Sequence, residues 1–140
     1  KFCTYDELLS DSTLDAVYNP LPTGLHFEWT KKALDQGLHV LCEKSLAMDL
    51  NEVDALLSQA RKSGLMLLES FQFQFHSQFN TLKNLIQSDK IGDLRCLRAS
   101  FGFPPFKDRD NIRYSRTLGG GALLDAGAYT TKVSQLLLGV

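Results

Sequence analysis

Two groups of polar residues in this chain have the types and spacing needed for proton chemistry. The first is Glu43-Lys44, which directly follows the mostly apolar run 38–42. An ammonium group at the end of a buried strand can donate to a hydroxyl or carbonyl oxygen, and a neighbouring carboxylate can hold it in place. The alternative is a surface ion pair of little energetic value. The pair alone leaves both interpretations open.

The second group is Asp125 with Tyr129, four residues apart in a predicted helix and therefore on one face of it. A phenol at the edge of a cleft can transfer a proton to a carbonyl oxygen, and a nearby cation such as Lys44 favours that transfer. In the structural alternative, Asp125 accepts a hydrogen bond at the helix end and Tyr129 packs with its hydroxyl in water. From the residues alone, the structural alternative is favoured.

Three further polar residues are weaker candidates. His26 falls in the first turn of a predicted helix, where capping or packing is the favoured role. His76 follows the alternating segment 71–75, where it can contact a sugar hydroxyl or make a hydrogen bond at a domain junction. Arg113 lies in a loop of mixed charge that is expected to be solvated, although it can meet a diphosphate. No residue grouping has the spacing of a metal site, and no metal is expected.

The first half of the chain alternates strand and helix patterns, which predicts an α/β fold with a parallel sheet. Strands are expected over 14–19, 38–42 and 65–68. Thr23 is expected to cap the first connecting helix, with Gly37 as its stop, and Asp49 with Glu52 to begin a second helix that ends at Gly64. Ligands bind outside the carboxyl ends of such strands, so the loop 19–22 and Glu43-Lys44 are expected at the binding edge.

The second half has a different texture, and a domain boundary is expected near Ser70. A helix over 77–87, a strand over 94–103 and a long helix from Gly119 to Leu138 are predicted. The alternation 71–75 places its phenylalanines on one face if it is extended, and a core role is favoured for them over a stacking role.

Composition excludes several classes of protein. With 44% hydrophobic and 22% charged residues the chain is typical of a soluble globular protein. A formal charge of −1 disfavours nucleic acid and anionic membranes as partners. Three scattered cysteines favour a reducing cytoplasm, and no run approaches the roughly 20 apolar residues of a membrane span.

Three segments, in this order and spacing, resemble the family of glucose-fructose oxidoreductase, inositol dehydrogenase and MocA. They are Asp15-Ala16-Val17-Tyr18 with the proline loop and His26, then 37–44, then 119–129. The resemblance implies an α/β fold in which residues 1–70 are the C-terminal part of a Rossmann-like domain that binds NAD or NADP. Residues 71–140 would start a second α/β domain, with an open, mainly antiparallel sheet, for substrate binding and oligomerisation.

The resemblance also implies a hydride transfer between nicotinamide and a carbon of a sugar, nucleotide-sugar or polyol. The implied catalytic residues are Lys44, Tyr129 and Asp125. The implied contacts to the cofactor are Asn19, Pro20, Leu21, His26, Glu43 and Lys44. The implied contacts to the substrate are Gln74, His76 and Arg113.

The chain departs from the family pattern at three places. Ser45 replaces a proline and is expected to loosen its turn, and Gln74 replaces a frequent arginine. No G-x-G-x-x-G precedes Asp15, so half of a cofactor site is absent from this sequence. The chain is therefore expected to be an internal piece of a longer, homo-oligomeric enzyme and to be inactive alone. A non-catalytic regulator of the same fold and an inactive truncated product are the alternatives.

Overall fold

The computed structural model of the protein describes residues 2–139 and is organised around a parallel sheet of three strands. The strands β1 (Ala16–Asn19), β2 (His39–Glu43) and β3 (Leu67–Ser70) pair in the order β1-β2-β3. Helix α1 (Tyr5–Leu9) precedes the sheet, and helices α2 (Thr23–Asp35) and α3 (Leu50–Ser63) connect its strands. The parallel α/β sheet predicted for the first half is confirmed.

The core lies on one face of this sheet. Val40 and Cys42 of β2 are buried against Leu34 of α2 and Leu56 of α3. Alternate residues of a strand point to opposite faces, so Leu41 between them is 39% exposed. Leu41 is in register with Tyr18 and Leu68, which are exposed as well, so the described residues leave this second face uncovered.

The ends of the connecting helices show which of the predicted caps are formed. Asp49 accepts a hydrogen bond from the Glu52 backbone at 3.0 Å, and Gly64 ends α3 with a positive φ of 67°, so this helix is confirmed. Gly37 follows α2 with φ 81°, as predicted. The predicted Thr23 cap is wrong: Pro22 is the N-cap residue of α2 and makes no side-chain cap hydrogen bond. The Thr23 side chain lies against the backbone of Gly119 instead.

The second half consists of helices and turns in the described residues. The helix predicted over 77–87 is confirmed as α4 (Ser77–Gln87), and the long helix begins as a π-helical turn (Leu123–Gly127) that continues into α5 (Ala128–Leu138). Two 3-10 turns precede it (Ile112–Tyr114 and Arg116–Leu118).

Two predictions for the second half are wrong in the described residues. Residues 94–103 form no strand, because a strand needs a partner and no neighbouring segment pairs with them. Residues 71–139 therefore show no antiparallel sheet by themselves, and its formation in the full-length protein stays a prediction. The alternating segment is a 3-10 turn (Gln72–Phe75) rather than extended, so Phe71 is buried while Phe75 is 73% exposed.

Close backbone contacts join the second half to the first at the binding edge. A Cβ atom added to Gly24 in α2 would lie 2.3 Å from the carbonyl oxygen of Thr117. A Cβ atom on Gly120 would lie 2.6 Å from the carbonyl oxygen of Arg113. Glycine at position 24 lets the Arg116–Leu118 turn approach α2 closely, and glycine at position 120 lets the Ile112–Tyr114 turn pack against the segment 119–121 of the second half. Within residues 2–139, no helix is both long and apolar enough to cross a lipid bilayer.

Candidate active site

An ion pair between Lys44 and Asp125 joins the two halves of the chain. Lys44 stands one residue beyond β2, and Asp125 lies in the π-helical turn before α5. The Lys44 Nζ atom donates to Asp125 Oδ1 at 2.6 Å and to the Asp125 carbonyl oxygen at 2.9 Å. The two side chains are only 11% and 19% exposed. The two residue groups that the sequence offers for proton chemistry are thus brought together.

Arg113 binds the other oxygen of the same carboxylate, with Nε 2.8 Å from Asp125 Oδ2. Burial alone raises the pKa of Asp125, but the hydrogen bonds and charges of Lys44 and Arg113 outweigh it and hold this pKa below its ordinary value. Asp125 is therefore ionised at neutral pH. Two cations share one carboxylate, so this group of three residues keeps one positive charge in excess.

Tyr129 lies next to this ion pair, one helical turn beyond Asp125. Its ring is surrounded by the rings of Phe71, Phe73 and Phe101, at centroid distances of 6.0, 5.7 and 5.1 Å. The Lys44 Nζ atom lies over the ring, 5.1 Å from its centroid. No described residue makes a hydrogen bond to the Tyr129 hydroxyl, which leaves that group available to a ligand. The contact with Phe101 was not predicted, because it depends on the path of a segment without regular structure.

The loop that follows β1 is held in place by the side chain of Asn19. This residue is buried, its Nδ2 atom donates to Thr30 Oγ1 at 3.1 Å, and its Oδ1 atom accepts from the Leu21 backbone at 3.3 Å. Pro20 and Leu21 then form one wall of a cavity of about 180 Å³. Glu43 and Asp125 line the same cavity, so the predicted binding edge is a real concave surface.

His26 holds two loops of the binding edge together. Its ring is completely buried, with Nε2 2.6 Å from the carbonyl oxygen of Leu21 and Nδ1 2.6 Å from that of Ser45. The side chain therefore reaches the binding edge only through these two backbone groups. The Ser45 hydroxyl also donates to the carbonyl oxygen of Leu124 at 3.1 Å. The turn at Ser45 is thus held by a hydrogen bond on each side.

Glu43 is positioned by one residue of the neighbouring strand β1 and one residue of the 3-10 turn that follows β3. The Tyr18 hydroxyl donates to Glu43 Oε1 at 2.8 Å, and Gln72 Nε2 donates to the same atom at 3.2 Å. The hydrogen bond to this carboxylate raises the pKa of Tyr18. Neither supporting residue was predicted. The signal was present for Tyr18, because it lies on β1 beside the strand that ends in Glu43.

Two predicted substrate contacts are not joined to this group. His76 is exposed and caps α4, with Nδ1 accepting from the Gln78 backbone at 3.2 Å. Gln74 is half-buried in the 3-10 turn. Among the described residues, no hydrogen bond links either side chain to Lys44 or Asp125. No three His, Cys, Asp or Glu side chains in that part of the chain converge on a common point as a metal site would require.

Two family models match the chain and together cover most of it. Residues 1–71 match a model described as "Oxidoreductase family, NAD-binding Rossmann fold", and residues 79–140 match the "GFO/IDH/MocA C-terminal domain". The chain belongs to the Gfo/Idh/MocA oxidoreductase family. The resemblance based on three short segments is therefore confirmed.

Several curated members of the Gfo/Idh/MocA family are similar over almost the whole chain. The dTDP-3,4-didehydro-2,6-dideoxy-alpha-D-glucose 3-reductase of Streptomyces violaceoruber is 47% identical over 135 residues, which are 96% of this chain and 39% of that protein. The D-xylose 1-dehydrogenase (NADP(+)) 2 of Haloferax volcanii is 38% identical, over 97% of this chain and 42% of that protein. The chain thus spans about two fifths of the length of these relatives.

A solved structure of the family has the same fold. It is a 3-ketoreductase from Actinomadura kijaniata in complex with NADP and TDP-benzene, with a TM-score of 0.93 and 42% identity. The match covers 98% of this chain and 42% of that one. An aldose-aldose oxidoreductase from Caulobacter crescentus, complexed with glycerol, matches with a TM-score of 0.81 at 26% identity. A 3-ketoreductase and an aldose-aldose oxidoreductase therefore share this fold.

Proposed function

We propose that the full-length protein is an NAD(P)-dependent oxidoreductase that interconverts a hydroxyl and a carbonyl group on a carbon of a sugar, nucleotide-sugar or polyol. The observation that carries this proposal is the Lys44 ammonium group, which is bound to Asp125 and lies over the ring of Tyr129. A cation and a phenol side by side suit an oxygen atom that gains or loses a proton. The reductases and dehydrogenases among the relatives support the same reaction class.

The residues present fit the nicotinamide end of the cofactor. Pro20 and Leu21 give the 180 Å³ cavity an apolar wall for a flat ring, and Glu43 offers a fixed carboxylate to ribose hydroxyls. Bound there, the nicotinamide would supply or accept the hydride. NADP is the better supported form, since it is named in the Haloferax relative and bound in the Actinomadura structure.

In this proposal the proton is handled by side chains of the chain itself. Lys44 donates a hydrogen bond to the reacting oxygen of the substrate, and the hydroxyl of Tyr129 donates the proton when a ketone is reduced. Asp125 keeps the ammonium group in place through its 2.6 Å hydrogen bond. In the direction of oxidation the same tyrosine accepts the proton.

Further residues have supporting roles in the proposal. His26 and Asn19 position the cofactor loops through backbone contacts, while Gln74, His76 and Arg113 bind polar groups of the substrate. In the full-length protein, residues 71–140 contribute to a second domain with an open, mainly antiparallel sheet for substrate binding and homo-oligomerisation. A cytoplasmic location is supported by the three cysteines, which are all free thiols in the structure.

The direct test is oxidation of NADPH or NADH by the full-length protein in the presence of ketosugars, followed by absorbance, with the reverse reaction tested on aldoses and polyols. Turnover with at least one of them, abolished by Lys44→Ala, is expected. Tight NADPH binding without turnover of any such compound would contradict an enzymatic function and indicate a regulator.

A further inference from the structure

A second and larger cavity lies on the other side of Asp125, and we call it the aromatic cleft. Its volume is about 320 Å³. The residues of the cleft that matter below are Phe101, Phe103, Phe106, Arg113, Tyr114 and Asp125. Because Arg113 and Asp125 line both this cleft and the cavity beside Glu43, their ion pair forms a partition between the two spaces.

One wall of the aromatic cleft is a row of rings that starts at Tyr129. Centroid distances are 5.1 Å from Tyr129 to Phe101, 6.0 Å from Phe101 to Phe103 and 5.3 Å from Phe103 to Phe106. Phe101 and Phe103 are 52% and 46% exposed among residues 2–139, so these residues leave much of the ring surface free for a ligand. The row starts at Tyr129, whose phenol is proposed to react, and extends to the far end of the cleft. Adjacent exposed rings of this kind bind flat, apolar groups by stacking.

The far end of the row is fixed rather than loose. The Phe106 backbone donates to the Tyr114 hydroxyl at 2.9 Å, and that hydroxyl donates to the Phe106 carbonyl oxygen at 3.3 Å. The Arg113 guanidinium carbon lies 4.8 Å from the centroid of the Phe106 ring. The carbonyl oxygen of Arg113 accepts from the Gly121 backbone at 3.0 Å. The position of the guanidinium group is therefore set by both its backbone and its ring contact.

Arg113 still has hydrogen-bonding capacity toward the cleft. Its Nε atom is used by Asp125, but no described residue accepts from its two terminal nitrogens. Lys44, Asp125 and Arg113 together carry one positive charge in excess, which attracts an anion. A planar guanidinium group with two free nitrogens matches the geometry of phosphate oxygens.

We infer that the aromatic cleft binds the nucleoside diphosphate part of a nucleotide-sugar substrate. The base stacks on the row at Phe101 and Phe103, and the diphosphate accepts hydrogen bonds from the terminal nitrogens of Arg113. The attached sugar then reaches Lys44 and Tyr129, where the row begins. This inference rests on the proposed function and narrows its substrate from sugars in general to sugars linked to a nucleotide.

The probes are thymidine diphosphate and thymidine, titrated calorimetrically into the full-length protein. We expect Phe103→Leu to weaken the binding of both probes by about 10-fold, because it removes a stacking surface and keeps an apolar side chain. We expect Arg113→Gln to weaken the binding of thymidine diphosphate by about 10-fold or more and to leave thymidine unaffected. Phe75→Leu is the matched control, since Phe75 is exposed and lies in the Gln72–Phe75 turn.

Equal binding of thymidine diphosphate by the wild type and by both cleft variants would overturn the inference, and so would its failure to bind the wild type. Reduction of free ketosugars that thymidine diphosphate does not inhibit would also overturn it, while the proposed reductase would stand. The opposite result is also informative. If the protein reduces neither free nor nucleotide-linked ketosugars, but its binding of thymidine diphosphate depends on Phe103 and Arg113, the proposed reductase activity is refuted and the proposed nucleotide site is supported.

Discussion

The ammonium group of Lys44 lies over the face of Tyr129, 5.1 Å from the ring centroid, while its hydrogen bonds go to Asp125. The lysine is thus oriented by the aspartate and stabilised by the π-electrons of the ring. The phenolic hydroxyl stays free of intramolecular bonds within residues 2–139. This division of contacts leaves the hydroxyl available for the proton exchange proposed above.

Replacing Tyr129 by phenylalanine removes the proposed proton donor and keeps the ring. We expect Tyr129→Phe to lower kcat by roughly 10²–10⁴-fold, the usual effect of losing a general acid–base group. Steady-state kinetics with NADPH and a ketosugar measure this loss. Tyr5→Phe is the matched control, because Tyr5 packs against Trp29 in the first half. A Tyr129→Phe variant that turns over like the control would remove this residue from the mechanism.

Replacing Asp125 by asparagine removes a pH-dependent contribution to the stability of the fold. In the folded protein the pKa of Asp125 is lowered, so the carboxylate stabilises the fold above the unfolded pKa of about 3.9, and this contribution is lost as pH falls through the lowered value. We expect Asp125→Asn to lose roughly 1–3 kcal/mol of unfolding free energy at pH 7.

Denaturant titrations of the wild type and Asp125→Asn between pH 7 and pH 3 test this expectation. The difference in free energy of unfolding should be complete at pH 7 and shrink below about pH 4. Asp54→Asn, at an exposed position of α3, should show little difference at any pH. A constant difference between Asp125→Asn and the wild type over the whole range would contradict the ion pair.

Replacing His26 by leucine should lower the stability of the fold and also weaken cofactor binding. The carbonyl oxygens of Leu21 and Ser45 lose their partner, which should cost about 2–4 kcal/mol of unfolding free energy. Because both loops border the proposed nicotinamide site, the KM for NADPH should rise more than kcat falls. His39→Leu is the control: His39 Nδ1 accepts from the Met66 backbone at the opposite end of the sheet, so only stability should suffer. Equal KM values in both variants would refute this role.

The three thiols should differ sharply in reactivity. Cys42 is completely buried, and burial raises the pKa of its thiol to about 12, so almost no thiolate forms near neutral pH. Cys3 and Cys96 are exposed. Labelling the folded protein with iodoacetamide at pH 8 should modify Cys3 and Cys96, with Cys42 labelled only in denaturant, as read by peptide mass spectrometry. Rapid labelling of Cys42 in the folded state would show that this core is open.

A methyl group at Gly24 should disturb the contact between the two halves of the chain. Alanine normally stabilises a helix by about 1 kcal/mol relative to glycine, yet here its Cβ atom would lie 2.3 Å from the Thr117 carbonyl oxygen. We expect Gly24→Ala to lower both Tm and kcat. Gly102→Ala, where no atom lies within 4 Å of the added carbon, should leave Tm unchanged. Wild-type behaviour of Gly24→Ala would mean that this contact is not made.

The elements that the sequence predicts correctly are those with local determinants. Helix α3 carries its own start at Asp49 and its own stop at Gly64, and the strands of the first half lie between such helices. Nothing within residues 94–103 could show whether a strand forms there, because strand formation depends on pairing with a partner elsewhere in the chain. The Thr23 cap failed for a similar reason, since a contact with Gly119 decides where that side chain lies.

In the candidate site, too, features with local determinants were predicted and features that depend on distant contacts were not. Glu43-Lys44 and Asp125 with Tyr129 were recognised from residue type and spacing, and the structure brings Lys44, Asp125 and Tyr129 together. The pair Arg113–Asp125 was not foreseen as a pair, because it requires two turns to fold back on one another. Two residues support Glu43: Tyr18 of β1, which the position of its strand could have indicated, and Gln72, which the turn after β3 brings into reach.

The bonds from Lys44 to Asp125 span 81 residues, and this separation has a consequence for synthesis on the ribosome. At about 5–20 residues per second, Asp125 is added roughly 4–16 s after Lys44. The described strands and the helices between them are synthesised before Asp125. The first half can therefore begin to fold while the lysine still lacks its carboxylate partner, and the later arrival of the second half adds that carboxylate to the proposed site.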